Sequence, residues 1–313
     1  MSTAAPSHMI SSPAHCAWCG MAFDDDSERL HGRRRCRSCG AATTDPWPDQ
    51  AELDRAYADW YRPPSGRFAG PGDWLLHRTR GLLARRLDRI APPGAVLDVG
   101  AGDGALLDAL QRRGREALGL ERTSARPDVR TLELDELDGR FAAVVFWHSL
   151  EHLRAPGAAL ARAYKLLLPA GVIVIAIPNS ASLQARAFGD AWLALDLPRH
   201  LVHLPASALL GRLEAVGLRV ERLSHVRAGQ VLFGWLHGLV HLLPGRPELY
   251  DAIRRPSARR TGLRGGARAA TLAAAATLLP AAAALAALEV AMRRGGSIYV
   301  EARKQPCLSP ASA

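Results

Sequence analysis

The sequence predicts an α/β fold: a doubly wound parallel sheet covered on both faces, preceded by a cysteine-rich module and interrupted late by a hydrophobic helical insert. Three observations carry this expectation. Between residues 95 and 227, short and nearly continuous apolar runs alternate with amphipathic stretches, the pattern of strands buried between helices. Four of the five cysteines form two C-x2-C pairs within residues 15–40. Two uncharged runs, 228–245 and 269–288, break the alternation before a last alternating segment at 297–303.

Composition agrees with a folded chain. The 313 residues suffice for two domains, and 48% hydrophobic with 22% charged residues excludes disorder, collagen and coiled coil as the main architecture. Five cysteines are too few for a disulfide scaffold. The net charge is +10, but only Lys165 and Lys304 are lysines, so the excess is arginine in a chain also rich in Ala, Gly and Pro. This reads as compositional bias and is weak support for nucleic acid, while a membrane face, a phosphorylated substrate or RNA stays open as an anionic partner. The first 16 residues lack a basic stretch followed by an apolar one. No secretory leader is expected, and the expected compartment is the reducing cytoplasm.

The elements follow in order. Residues 1–14 are small and polar and read as a disordered tail, 15–44 as the cysteine module, and 45–94 as a linker with N-terminal helices. In that linker a short helical piece lies near Glu52 to Trp60. A longer helix over 74–90 places Leu75, Leu76, Leu82, Leu83, Leu87 and Ile90 at near-helical spacing, and Pro92-Pro93-Gly94 ends it. Strands are expected at 95–100, 116–121, 129–134 (weaker), 141–147, 171–177, 218–226 and 297–303. Helices are expected at 104–113, at 158–168 ending on Pro169, and at 205–216. The α/β domain is therefore 95–227 plus 295–305, with the insert at 228–294 and a tail at 306–313 containing Cys307.

The segment Val96-Leu97-Asp98-Val99-Gly100-Ala101-Gly102-Asp103-Gly104 follows a strand and opens a helix. Glycines at these positions let the backbone turn sharply and approach a ligand, where a doubly wound sheet holds nucleotide-like molecules. The G-x-G-x-G spacing suits neither a dinucleotide fingerprint nor a phosphate loop. Glu121 ends the next strand, where a carboxylate can accept hydrogen bonds from both ribose hydroxyls; the plainer reading is a surface acid at a strand end.

On these residues the chain resembles the class I S-adenosylmethionine-dependent methyltransferases. VLDVGAGDG is similar to the family's first motif, Glu121 to its ribose-binding acid, 141–153 to the fourth-strand motif, and 166–179 to the turn and fifth strand, with Pro-Ala-Gly at the turn. The resemblance implies a Rossmann-like seven-stranded methyltransferase sheet with S-adenosyl-L-methionine as cofactor. Asp98, Gly100, Ala101, Gly102, Gly104 and Glu121 would hold it, with Glu133 or Asp135 near the adenine and His148 facing it from the fourth strand. For His148, packing is an equal reading.

Cys16, Cys19, Cys36 and Cys39 fit a four-thiolate zinc site of two knuckles, each closed by a glycine (Gly20, Gly40). Four thiolates with no open position imply structural zinc, worth on the order of 10 kcal/mol to so small a module. Redox dithiols are the lesser reading. His15 and His31 flank the cluster without being needed as ligands.

Between the fifth strand and the next helix lies Trp192-x-x-Leu195-Asp196-x-Pro198-Arg199-His200-x-x-His203. Long loops at this end of a sheet carry function. Arg199 could bind an anion and His200 could deprotonate a hydroxyl near neutral pH. His152 and His203 read as structural, and Trp192 as packing. With the zinc ribbon, this segment resembles bacterial zinc-ribbon methyltransferases associated with cell-surface saccharide and related small-molecule biosynthesis.

Residues 269–288 are long enough to span a membrane, but twelve are Ala, five Leu, two Thr and one Pro. Two spans would put seven arginines of 246–268 across the bilayer, against the positive-inside tendency. Helices lying at the inner membrane face, and a hairpin packed on the domain or at a dimer interface, are equal expectations.

The leading expectation is methyl transfer to a small-molecule or lipid-linked acceptor, such as a saccharide hydroxyl. An RNA methyltransferase using the ribbon for recognition is the alternative, weakened because Phe146-Trp147-His148-Ser149 is not an Asn/Asp-Pro-Pro-aromatic motif. A non-catalytic cofactor-binding scaffold is the third.

Overall fold

The computed structural model describes residues 12–58, 68, 72–259 and 263–305. Most of the expected N-terminal tail, Trp60, Cys307 and the C-terminal tail lie outside these residues.

Strands β1 (Arg33–Arg35) and β2 (Ala42–Thr44) form the hairpin of the cysteine module. Helix α1 (Gln50–Ala56) starts at a capping box, with Asp49 Oδ1 accepting from Glu52 N–H and Glu52 Oε2 accepting from Asp49 N–H. Helix α2 (Gly72–Ile90) turns Leu83, Ala84 and Leu87 onto the sheet.

Seven strands build the main sheet. They are β3 (Val96–Val99), β4 (Ala117–Leu120), β5 (Val129–Arg130), β6 (Phe141–Trp147), β7 (Leu167–Pro178), β9 (Leu218–Ser224) and β10 (Ser297–Lys304). Helix α3 (Ala105–Gln111) follows β3, α4 (Pro156–Leu166) precedes β7, and α5 (Leu183–Phe188) follows it. Then come the two-residue β8 (Val202–His203) and α6 (Ala206–Ala215). The strand order is β5-β4-β3-β6-β7-β10-β9.

The alternation of pleat faces explains the two cores. Leu97, Val99, Val144, Phe146, Ile173 and Ile175 share one cluster with α4, α6 and the cysteine module. Val96, Ala143, Val145, Val172 and Val174 face α2 and α3. The expectation of a wholly parallel sheet is corrected at β10, which runs antiparallel to both β7 and β9. A neighbouring strand's direction leaves no mark on a residue pattern of period two. The expected third strand shrinks to Val129–Arg130. The helix expected to end on Pro169 ends at Leu166, and Pro169 lies inside β7.

The cysteine module is built into the fold. Strand β2 pairs with β8, so the segment carrying Arg199, His200 and His203 adds a third strand to the β1–β2 hairpin. Trp18 Nε1–H donates to Ala208 O at 3.2 Å. A Cβ at Gly157 would sit 2.3 Å from Trp18 O, so only glycine permits this approach to α4.

The insert forms α7 (Ala228–His241), the short α8 (Leu249–Ala252) and α9 (Gly265–Ala291), which continues through Pro280. Helices α7 and α9 pack on each other and on Phe188 and Trp192. Glu289, fully buried, accepts from Gln184 N–H (3.0 Å), Gln184 Nε2–H (2.8 Å) and Trp235 Nε1–H (2.9 Å), which ties α9 to the domain. Among the described residues, α9 is the one helix long and apolar enough to cross a membrane.

Candidate active site and metal centre

A cleft of about 2480 Å³ runs along the C-terminal ends of β3, β4 and β6. That exceeds the usual ~300–1,000 Å³ of a single-ligand pocket and leaves room for two reactants.

One end of the cleft is the glycine loop. Gly100 and Ala101 N–H both donate to Leu120 O, at 2.8 and 2.9 Å, which folds the loop over the end of β4. Gly100 has φ +82°, and a Cβ there would lie 2.4 Å from Ser149 Cβ, so the turn requires glycine. Gly104, at φ +79°, opens α3. Glu121 Oε2 accepts from Gly102 N–H at 2.7 Å and Oε1 from Arg122 N–H at 3.0 Å, which places its carboxylate against the loop. Asp98, Gly100, Ala101, Gly102 and Glu121 line the cleft, and exposed Glu133 and Asp135 stand at its rim. Asp98 is buried to 4% exposure.

Next to the loop stands a histidine cluster. His148, at the end of β6, has φ +54°, a strained value for a residue with a Cβ. Its Nε2 meets Gln230 Nε2 at 2.7 Å and its Nδ1 faces Glu151 Oε1 at 3.5 Å. The 3-10 turn Leu150–His152 carries Glu151 and His152. His200 Nδ1–H donates to Ala194 O at 2.9 Å. Its Nε2 lies 3.6 Å from Asp196 and 3.9 Å from Glu151. His152 Nδ1–H lies between Arg199 O (2.9 Å) and the Tyr57 hydroxyl (2.8 Å).

The electrostatics follow from burial among these groups. Burial pushes the Glu151 carboxyl up, but His148, His152 and His200 together outweigh it and hold the acid below its usual range. Burial, with the charge of His200, pulls His152 down to about 4, so it is neutral. Burial also drives His203 well below its ordinary value, and its Nε2 lies 3.1 Å from Thr44 Oγ1. The ligand-type atoms of Glu151, His152 and His200 lie within 4.8 Å of one another, an arrangement able to take a proton or a cation.

Two expectations change. Arg199 does not line the cleft: its guanidinium forms a bidentate pair with Asp196 and donates to Ala56 O at 3.1 Å, so it holds the loop against α1. His152 does line it, beside His200 at 4.7 Å between ring centroids, although its position in a helix-start turn suggested a structural role. Tyr57 and Gln230 were missed in the sequence; both act through chain-distant contacts that no local spacing signals.

In the cysteine module, Cys16 and Cys39 Sγ are 3.8 Å apart and Cys19 and Cys36 Sγ 3.6 Å apart. Disulfides would need about 2.05 Å, whereas the edge of a tetrahedron with Zn–S near 2.3 Å is about 3.8 Å. N–H groups of Trp18 and Cys19 point at Cys16 Sγ, that of Met21 at Cys19 Sγ and that of Ala41 at Cys39 Sγ. The two knuckles turn at Gly20 (φ +78°) and Gly40 (φ +75°). The donor set fits a closed, structural zinc site.

Sheet order, glycine loop and the acid after β4 together define a Rossmann-like class I methyltransferase domain. Comparison with known proteins agrees: residues 75–223 match the family model described as a methyltransferase domain. Ubiquinone biosynthesis O-methyltransferase of Rhodopseudomonas palustris is 27% identical over 169 residues, covering 44% of this chain and 64% of that protein. The protein of the same name from Xanthomonas campestris pv. campestris is 28% identical over 161 residues, covering 44% and 67%. The chain thus matches just under two thirds of the length of the Rhodopseudomonas relative. Among solved structures, a SAM-dependent methyltransferase from Archaeoglobus fulgidus aligns at TM-score 0.43 and 18% identity over 74% of this chain and 99% of that one.

Proposed function

We propose that the protein transfers a methyl group from S-adenosylmethionine to a hydroxyl of a small-molecule acceptor in the cytoplasm. The observation that carries this reading is the meeting, in one cleft, of the glycine loop with Glu121 and the His148–His152–His200 cluster. Bound S-adenosylmethionine supplies an electrophilic methyl group on sulfur. The carboxylates of Asp98 and Glu121 suit its ammonium and ribose, and Glu133 or Asp135 its adenine end. His200 is the general base: its Nδ1–H is held by Ala194 O, and its Nε2 accepts the acceptor's proton beside Glu151 and Asp196, which stabilise the imidazolium formed. His148, oriented by Gln230, positions the acceptor. The O-methyltransferase name of the relatives supports oxygen as the methylated atom. A saccharide hydroxyl and a hydroxyl on a lipid-linked acceptor both fit this chemistry. Contact of the outward face of α9 with an inner membrane surface belongs to the proposal too, and co-sedimentation with anionic vesicles checks it.

The test uses purified protein, methyl-labelled S-adenosylmethionine and a fractionated cell extract. Label in a saccharide or solvent-extractable fraction, lost in His200→Ala, supports the reading. Label in a nuclease-sensitive fraction points to RNA instead, and cofactor binding without turnover in any fraction points to a scaffold. Either overturns it.

A further inference from the structure

Glu151 is 1% exposed, and neither of its carboxylate oxygens makes a hydrogen bond to a described residue. A buried carboxylate in that state is costly, because nothing replaces the water it gave up. It faces imidazoles instead. Its Oε1 lies 3.5 Å from His148 Nδ1 and 3.9 Å from His200 Nε2. The ligand-type atoms of Glu151, His152 and His200 lie within 4.8 Å of one another. The other acid beside His200, Asp196, is already paired through both oxygens with the Arg199 guanidinium.

The two histidines are anchored from behind. His200 Nδ1 is held by Ala194 O at 2.9 Å, and His152 Nδ1 by Arg199 O at 2.9 Å and the Tyr57 hydroxyl at 2.8 Å. Metal-binding histidines are held in this way, with one ring nitrogen on a backbone carbonyl and the other turned to the ion. Nε2 of each ring is therefore the nitrogen that a metal takes. The segments carrying the ligands are also fixed to each other, because Leu201 N–H donates to Glu151 O at 2.8 Å. His152 and His200 line the cleft, so the group is open to ligands on that side.

We propose that Glu151, His152 and His200 form a metal centre separate from the cysteine module, which takes a divalent transition cation. Two imidazoles and one carboxylate with open positions suit Zn2+, Co2+ or Fe2+, whereas Mg2+ prefers oxygen ligands. The cation supplies the positive charge that the buried carboxylate faces only at a distance. A cation and a proton exclude each other at His200 Nε2, so the metal-bound and the proton-accepting states of the cluster are alternatives. Only this last consequence rests on the methyl-transfer reading; the metal centre stands on the side-chain geometry.

Purified full-length protein, kept free of chelator so that the cysteine module stays loaded, is dialysed to equilibrium against Co2+. Zinc and cobalt are then counted together by elemental analysis, and the visible spectrum is recorded. Two transition-metal ions per chain are expected, with cobalt d–d bands that lack thiolate charge transfer. Glu151→Gln and His200→Asn, which alter the centre from two different segments, each reduce the count to one and remove those bands. S-adenosylhomocysteine affinity within twofold of the wild type shows that each variant is folded, and either variant suffices. A wild-type count of one, cobalt held through thiolates alone, or a count of two in a folded variant overturns the centre. Failure of the wild type to bind S-adenosylhomocysteine overturns the methyltransferase reading instead, and the metal count is then still read on its own.

Discussion

With zinc held by Cys16, Cys19, Cys36 and Cys39, as their spacing fits, its removal is expected to disable turnover while leaving the cofactor end of the cleft intact. A structural zinc site supplies about 10–16 kcal/mol, as much as the ~5–15 kcal/mol total stability of a typical domain. Few apolar side chains of the module are buried (Cys16, Trp18, Cys36 and Ala41), so residues 15–44 are expected to lose their fold with the metal. With them goes what holds His200, the base of the proposed reaction. Thr44 Oγ1–H donates to His200 O at 2.6 Å, Thr44 N–H donates to Leu201 O at 3.0 Å, and Ala42 and Thr43 pair with His203 and Val202. At about 1 kcal/mol for each of three or four such bonds, the loop loses roughly 3–4 kcal/mol of order, a population shift of at least about 100-fold. The glycine loop and Glu121, on β3 and β4, draw no hydrogen bond from the module. Chelator-treated protein and Cys36→Ser should therefore bind S-adenosylhomocysteine within about threefold of the wild type while methyl transfer falls about 100-fold. Wild-type turnover in metal-free protein would refute the bracing argument. So would parallel loss of cofactor binding, which would mean that the module supports the whole domain.

Three further outcomes are expected. Glu121→Ala removes a carboxylate that makes charge-assisted hydrogen bonds of about 1.5–3 kcal/mol each, so calorimetry should show S-adenosylhomocysteine bound at least about 100-fold more weakly. Gly100→Ala places a Cβ 2.4 Å from Ser149 Cβ at φ +82°, and a cost of about 2–3 kcal/mol lowers the melting temperature by roughly 4–12 °C. Burial, with the charge of His241, pulls His237 from 6.5 down to about 4, so the unfolded chain binds its proton first as pH falls. The stability this residue contributes is full above pH 6.5 and is lost through the window down to about 4, amounting to about 3 kcal/mol. His237→Asn should flatten the decline of melting temperature across that window, and an unchanged slope would assign it to other groups.

What the sequence made legible was local. The β-branched run of β7, the glycines at 100, 102 and 104 and the two C-x2-C knuckles all express their geometry within a few residues. Contacts between distant segments were not legible. The pairing of β2 with β8 joins residues more than 150 apart, and Tyr57 reaches His152 across 95 residues. Arg199 looked like an anion binder because an arginine beside a histidine in a long loop carries no sign of its partner. That partner, Asp196, stood three residues earlier in the same segment, and an i, i+3 acid was the available signal. Residues 45–58 read as a linker because their helix is short, yet Leu53 enters the main core and Ala56 O receives Arg199.

The loop between β7 and α6 explains why so much of the chain lies outside the sheet. Residues 179–205 must hold His200 in place with only α5, β8 and two 3-10 turns of regular structure. Ordering backbone costs about 1–2 kcal/mol per residue, so such a segment needs partners. Besides Glu151 O in the main domain, which takes Leu201 N–H at 2.8 Å, its partners include the accessory parts: the cysteine module at Thr44, α1 at Ala56 through Arg199, and α9 at Glu289 through Gln184. The cofactor end needs no such help, because the turns after β3 and β4 are fixed by the sheet itself. A division of labour follows. Changes in the glycine loop act on cofactor affinity, whereas changes in any brace act on turnover at constant cofactor affinity. Thr44→Val, which leaves His200 O without its hydroxyl donor, is the smallest test of that division.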